Sequence, residues 1–171
     1  MTDILVRKAR REEAKSIADL LSRCQWFTYR ELFSDLYIER FIEKYYNVER
    51  VKQEITTVDN RWHGYIVAER DANIIGVIGG GMIDETIGEI YVFYVDPDVR
   101  GAGIGSRLLS FYTKLQKHTY GAEQQYVAVA KGNKYGIPFY EAKGFSFIRE
   151  EISYGATEED ADISLVYSRS I

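Results

Sequence analysis

The stretch Arg100-Gly101-Ala102-Gly103-Ile104-Gly105-Ser106 sets three glycines at alternate positions beside an arginine, a composition suited to holding an anion. Glycine permits positive φ, and the missing Cβ lets a ligand come close to main-chain N–H groups. Its setting sharpens the point. Glu89 to Val95 is rich in β-branched and aromatic residues and closes on Asp96-Pro97-Asp98, as a strand entering a turn does. From Gly105 onward Leu108, Phe111, Tyr112 and Leu115 fall at three- and four-residue steps, with Arg107, Lys114 and Lys117 opposite, the pattern of an amphipathic helix. The glycines therefore open a helix whose first N–H groups are unpaired and carry the positive end of its dipole. A pyrophosphate is the natural occupant, although a structural loop would also carry three alternating glycines. A Walker loop is excluded because no Gly-Lys-Ser/Thr follows, and a dinucleotide fingerprint because Ser106 stands where glycine is required.

The elements that must position this loop are legible along the chain. Ile4 to Lys8 alternates as a strand, and Arg11 to Cys24 carries Ala14, Ile17, Ala18 and Leu21 on one helical face, with Arg10 where a capping residue is expected. Cys24, the single cysteine, reads as a packing residue of that helix. Phe33, Tyr37, Phe41 and Tyr45 then recur every four residues after a candidate cap at Ser34, and Asn47 is placed to cap a helix through Ile55. The aromatic stripe reads as helix packing, with its exposed members available to a pocket. Trp62 to Glu69 and Asn73 to Ile83 read as strands joined by a hairpin turn, with Gly79-Gly80-Gly81 marking a bulge or a close backbone approach. Phe145 to Ile152 and Ile163 to Tyr167 form a last strand pair around Ser153 to Asp162, read as an acidic, flexible linker. His63 and His118 have no spaced partners, so no metal site is expected.

The pattern Arg-x-x-Gly-x-Gly between a strand and a helix resembles the coenzyme A pyrophosphate loop of the GNAT superfamily of N-acetyltransferases. A second motif strengthens the resemblance. Tyr126 to Ala130 reads as a strand, and the run from Asn133 through Tyr140 to Gly144-Phe145 is similar to the Asn-led short helix, ending in Tyr and Gly-Phe, that follows the loop helix in that superfamily. Together the motifs cover Ile87 to Phe147. The resemblance implies an α/β (α+β) GNAT fold: a mixed six- to seven-stranded sheet flanked by helices, with a V-shaped split between strands 4 and 5, as a single domain over residues 1–171. It implies acetyl-CoA as co-substrate and no metal.

The resemblance also implies roles. Main-chain N–H groups of Arg100, Gly101, Ala102, Gly103, Ile104, Gly105 and Ser106 would hold the pyrophosphate, and Phe93, Tyr94, Val95, Asn133 and Tyr140 would lie along the rest of the cofactor. The Val95 N–H would meet the thioester carbonyl. Glu89 would act as base, directly or through water, with Tyr91 in reserve, and Tyr140 would protonate the departing thiolate. Lys143 reads as a solvated helix-end residue or a phosphate contact. Pro138 departs from the helical pattern and places the helix start near itself, with a turned Tyr140 as the consequence.

The implied activity is transfer of the acetyl group to a primary amine by direct attack. Length, the helical segment 27–55 and the tail near 155–165 are similar to bacterial spermidine/spermine N-acetyltransferases of the PaiA type. A polyamine needs carboxylates, and Glu31, Asp35, Glu39 and Asp84 are available in segments expected near the pocket, with solvated charge as the default reading of each. Peptide or protein amines, amino acids and aminoglycosides stay open as acceptors, as does a sensor or regulatory module that binds acetyl-CoA without turnover. The 171 residues, 46% hydrophobic with net charge −4, give no support to nucleic-acid binding. With one cysteine, no long apolar run and no basic-apolar leader, the expectation is a cytoplasmic protein without membrane association. A homodimer paired through the last strands is implied by the family alone.

Overall fold

The computed structural model describes residues 3–99 and 101–171. The expected role of Arg100 lies outside the described residues. In chain order the elements are β1 (Leu5–Lys8), α1 (Ala14–Tyr29), α2 (Asp35–Tyr45), α3 (Val48–Thr56), β2 (Tyr65–Arg70), β3 (Asn73–Met82), β4 (Ile87–Val95), α4 (Ile104–Lys114), β5 (Gln124–Ala130), α5 (Gly136–Ala142), β6 (Ser146–Ile152) and β7 (Ile163–Ser170). The strands form one seven-stranded sheet in the order β1-β2-β3-β4-β5-β7-β6. Among the described residues only β4 and β5 run parallel.

Local chemistry sets the helix ends. Ser34 Oγ accepts from Tyr37 N–H at 3.2 Å and Asn47 Oδ1 from Arg50 N–H at 2.9 Å, so both expected caps are in place. No cap exists at Arg10. A short 3-10 turn, Arg11–Glu13, precedes α1 instead, and the Glu13 carboxylate accepts from Arg10 N–H at 2.7 Å while pairing with Arg7 at 2.7 Å. The helix then runs to Tyr29, five residues past the expected end at Cys24. Strand β2 starts at Tyr65 and not Trp62, because Asp59 Oδ1 accepts from the N–H groups of Arg61 and Trp62 and turns the chain there. The segment 153–162, expected to be flexible, is ordered by Ser153 N–H donating to Asp162 O at 2.9 Å and by Asp160 accepting from Thr157 N–H at 2.8 Å.

Two apolar layers flank the sheet. On one side Ile104, Leu108, Leu109 and Tyr112 of α4 pack with Ile66, Ile78, Ile90, Val127 and Tyr140. On the other, Ile17, Leu21 and Cys24 of α1 and Val51 of α3 pack with Tyr65, Val67, Val77 and Val92. Each fully buried aliphatic side chain contributes roughly 1.5–3 kcal/mol, so these layers hold the sheet's shape against local irregularities.

Two irregularities shape β4. The first is a bulge: Gly79 faces Val92 and Gly80 faces Ile90, which leaves Tyr91 without a partner. As a result Ile90 and Phe93 belong to the α4 layer while Val92 and Tyr94 belong to the α1 side. Both expectations for the glycine run hold, since a Cβ on Gly80 would collide with the Glu89 carbonyl and one on Gly81 with that of Arg61. The second is that β4 pairs with β5 only from Ile87–Gln124 to Ile90–Val127. Beyond Ile90, β4 stays with β3 as far as Val95, and β5 stays with β7 as far as Ala130, so the two strands open into the expected V.

A buried amide braces the closed end of the V. After Lys114 the helix widens into a π turn, Leu115–Thr119, which brings Gln116 inside. Gln116 Nε2 donates to the Glu89 carbonyl at 3.2 Å and its Oε1 accepts from Gln125 Nε2 at 3.1 Å. Gly88 leaves the necessary room, for a Cβ there would lie 2.6 Å from Gln116 Oε1. Gly80→Ala is expected to lower the melting temperature by about 5 °C or more, because it forces backbone off backbone. Gly101→Ala, whose Cβ meets no atom within 4 Å, should cost only the strain of its positive φ, about 1–2 kcal/mol. Differential scanning calorimetry of the two variants checks the contrast.

Candidate active site

A cavity of about 170 Å³ fills the V, lined by Phe93, Tyr94, Val95, Gly105, Val129, Asn133, Phe139 and Tyr140 among others. A larger one, about 720 Å³, lies on the α1–α3 side of the sheet. Tyr29, Ile90, Tyr91, Tyr94 and Ala128 line both, so the cavities meet at the point where β4 leaves β5.

At the mouth of the smaller cavity Gly101 and Gly103 hold φ of 90° and 74°. Gly103 is the N-cap of α4 and supplies no side-chain cap. Among the described residues the first helical N–H to find its carbonyl is that of Arg107, bonded to Gly103 O at 3.1 Å, and no described carbonyl accepts from Gly105 or Ser106 in the first turn. The Ile104 side chain is buried in the core and pins this turn in place. A Cβ at either Gly101 or Gly103 would meet nothing within 4 Å among the described residues.

Val95 lies where β4 is unpaired on one side. Asp96 N–H donates to Ile75 O at 2.8 Å across β3, so by strand alternation the Val95 N–H and C=O face the V. The Cys24 thiol approaches the Val95 carbonyl at 3.7 Å, and the N–H is left toward the cavity. The buried Cys24 thus packs under the site, as expected of a core residue.

Asn133 Oδ1 accepts from the N–H groups of Tyr135 and Gly136 at 3.0 and 2.9 Å, starting α5 at Gly136. The expected start near Pro138 is therefore corrected: the proline sits in the first turn, where its missing N–H has no intrahelical acceptor to lose. Tyr140 consequently keeps an inward direction, 7% exposed, with its ring edge-on to Phe139 and Phe145 at 5.5 and 5.4 Å. Burial pushes the Tyr140 phenol well above its ordinary range, so it carries its proton at neutral pH and is a hydrogen-bond donor.

Glu89 and Tyr91 share a wall of the larger cavity. Burial, and then the nearby Glu151 carboxylate, push the Glu89 carboxyl up to about 7, against a smaller pull from Arg149. A carboxyl titrating there is suited to act as a base near neutrality. Burial also raises the Tyr91 phenol.

Part of the larger cavity's wall was legible as a helical stripe, whereas Glu54, Glu151 and Asp162 carried no local signal. The helical stripe Phe33, Tyr37, Phe41 and Tyr45 lines the larger cavity, so it forms pocket wall as well as packing. The expected carboxylates lie elsewhere. Glu31 pairs with Lys134 at 3.6 Å, Asp84 accepts from Thr86 and Ile87 N–H in a turn, and Asp35 and Glu39 are exposed on the outer side of α2. Glu54, Glu89, Glu151 and Asp162 border the cavity in their place. Lys143 Nζ lies 5.6 Å from the Phe139 ring centre. Among the described residues no three His, Cys, Asp or Glu side chains converge to hold a metal, and no helix is long and apolar enough to cross a membrane.

The chain is similar to known proteins. A model of the acetyltransferase (GNAT) family matches residues 26–145. The chain belongs to that family. This GNAT domain is 27% identical over 143 residues to the spermidine N(1)-acetyltransferase of Thermoplasma acidophilum, covering 83% of this chain and 88% of that protein. It is 31% identical over 91 residues to the mycothiol acetyltransferase of Thermomonospora curvata, covering 53% of this chain and 30% of that protein. The chain thus spans less than a third of the length of the mycothiol acetyltransferases it matches. Among solved structures, PaiA N-acetyltransferase from Thermoplasma acidophilum in complex with coenzyme A superposes with a TM-score of 0.83 at 23% identity, covering 99% of both chains. Ard1 from Thermoplasma volcanium gives 0.69 at 18%, covering 98% of this chain and 97% of that one. The GNAT fold is shared with both.

The raised Glu89 carboxyl has a measurable consequence for stability. The folded group stays protonated up to about 7 and the unfolded one only to about 4.5, so stability present at low pH is lost as pH rises through that window. Glu89→Gln removes the ionisation. Its melting temperature is expected to gain on the parent between pH 5 and pH 8, and a pH-independent difference would contradict the assignment.

Proposed function

We propose that this GNAT domain transfers the acetyl group of acetyl-CoA to a primary amine of a small cationic acceptor, with a polyamine as the best-matched class. The observation that carries the reading is the meeting of the two cavities at β4, with the loop and Tyr140 on one side and Glu89 on the other. The acidic and aromatic wall of the larger cavity suits ammonium groups, which bind both carboxylates and ring faces. The similarity to a spermidine N(1)-acetyltransferase over most of both chains supports the same class.

Acetyl-CoA supplies the thioester. Main-chain N–H groups from Gly101 to Ser106 would hold its pyrophosphate at the start of α4, and Phe93, Tyr94, Val95 and Asn133 would line its path through the V. Glu89 takes a proton from the acceptor ammonium, directly or through water, which frees the nitrogen lone pair. The nitrogen bonds to the carbonyl carbon as charge develops on the oxygen, where the Val95 N–H donates. A preorganised donor of this kind contributes roughly 2.7–4 kcal/mol in other enzymes. The carbon–sulfur bond then breaks while Tyr140 gives its proton to the sulfur and the nitrogen releases its second proton to solvent, leaving a neutral amide. Solvent takes the proton from Glu89 and restores the one on Tyr140. A module that only binds acetyl-CoA needs the loop alone, so Glu89 and Tyr140 flanking one cleft favour transfer.

Thiol release from acetyl-CoA across a panel of amines tests the reading. Tyr140→Phe should keep acetyl-CoA affinity and lose about 10²-fold or more in kcat, and an unchanged rate would remove Tyr140 from the reaction. Glu89→Gln should lose about 10²-fold or more and should no longer show the rise in rate with pH centred near the parent carboxyl. Gly103→Asp should abolish acetyl-CoA binding in calorimetry, since its carboxylate would stand where the pyrophosphate is expected, and normal binding would count against the loop.

A further inference from the structure

Four carboxylates border the larger cavity, and they differ in what already neutralises them. Glu54 pairs with Arg50 at 2.7 Å and also accepts from the Tyr65 hydroxyl. Glu151 pairs with Arg149 at 3.4 Å. Glu89 and Asp162 form no ion pair among the described residues, although Arg149 exerts a longer-range pull on Glu89.

Asp162 stands immediately before β7 and is only 7% exposed. Its Oδ2 accepts from the Tyr37 hydroxyl at 2.5 Å and its Oδ1 from Ser153 Oγ at 2.6 Å, with Ser164 Oγ a further 2.5 Å from Ser153 Oγ. A carboxylate has about four lone-pair sites, so two hydroxyl donors leave acceptor capacity in a cavity wall. A buried carboxylate satisfied by neutral donors alone is an incomplete arrangement, which a cation entering the cavity would complete. The rings of Phe33, Tyr37, Phe41 and Tyr45 supply apolar and cation-binding faces alongside.

We propose that Asp162, held by Tyr37 and Ser153, is a second cation subsite, and that the acceptor is a linear diamine or longer polyamine. One nitrogen lies at Glu89 for acetylation and another, kept as ammonium, lies at Asp162. The proposal rests on the transferase reading of the cavity and adds to it which acceptors are selected and by which residue.

The test titrates n-butylamine, 1,4-diaminobutane and spermidine into the protein saturated with coenzyme A, and follows thiol release from acetyl-CoA with the same amines. The parent should bind spermidine at least about tenfold more tightly than n-butylamine, the range expected for a charge-assisted contact. Asp162→Asn should bring that ratio close to one, whereas Glu49→Gln, on the exposed first turn of α3, should leave it unchanged. If Asp162→Asn does not fold, Ser153→Lys carries the test, because its ammonium would occupy the subsite and weaken spermidine binding about tenfold or more. No preference for spermidine in the parent, or a preference that survives both substitutions, overturns the subsite. Selective spermidine binding without thiol release would overturn the transferase reading and leave the subsite standing.

Discussion

Main-chain pairing between β4 and β5 ends after Ile90, and every part of the site depends on that interruption. An unpaired N–H inside a protein costs about 1–3 kcal/mol, so two strands do not separate within a sheet without something holding them apart. Here β3 holds β4 and β7 holds β5 on their outer sides, over the whole length of the opening. The apolar layers on the two faces then fix the angle, with Ile90 and Phe93 gripped from one side and Val92 and Tyr94 from the other. The result is a slot bounded by main-chain donors that water or a ligand must satisfy. Cys24 meets the carbonyl of Val95 and leaves its N–H to the slot.

The bulge at Tyr91 and the amide of Gln116 solve a related problem. A strand that both binds a ligand along one edge and carries a base must turn its side chains out of the plain alternation, and an extra residue does this. It disturbs the ladder near Glu89, where the Gln116 amide donates to the exposed carbonyl from a widened turn of helix. Gly80 and Gly88 are part of the same device, since each removes a Cβ that would block the approach. The position of the candidate base is thus set by glycines and an amide that take no part in proton transfer.

What was legible in the chain is what is encoded locally. Alternating glycines before an amphipathic helix, Ser34 and Asn47 as caps, and the Asn-led turn before Tyr140 each depend on neighbours within a few residues. The misreadings share a cause. Asp35 and Glu39 lie on the exposed side of α2, which only the packing of that helix decides, while Glu31 and Asp84 lie in the turns outside α2 and β3, in keeping with their default reading as solvated charge. Asp162 sits in a stretch whose composition resembles a solvated linker, yet Tyr37, 125 residues away, and Ser153 bind its carboxylate. Pro138 misled in the opposite way, because the side chain of Asn133 starts the helix before it and absorbs the irregularity.

The acidity of the larger cavity also bears on how a turnover ends. In the proposed reaction an ammonium group enters that wall as a cation, but the amide formed from it carries no charge and cannot be protonated near neutral pH. The attraction that gathers the acceptor therefore weakens at the moment of transfer, at the Glu89 end of the cavity. On that proposal the reaction itself removes what held that end of the acylated molecule in place, which favours its departure.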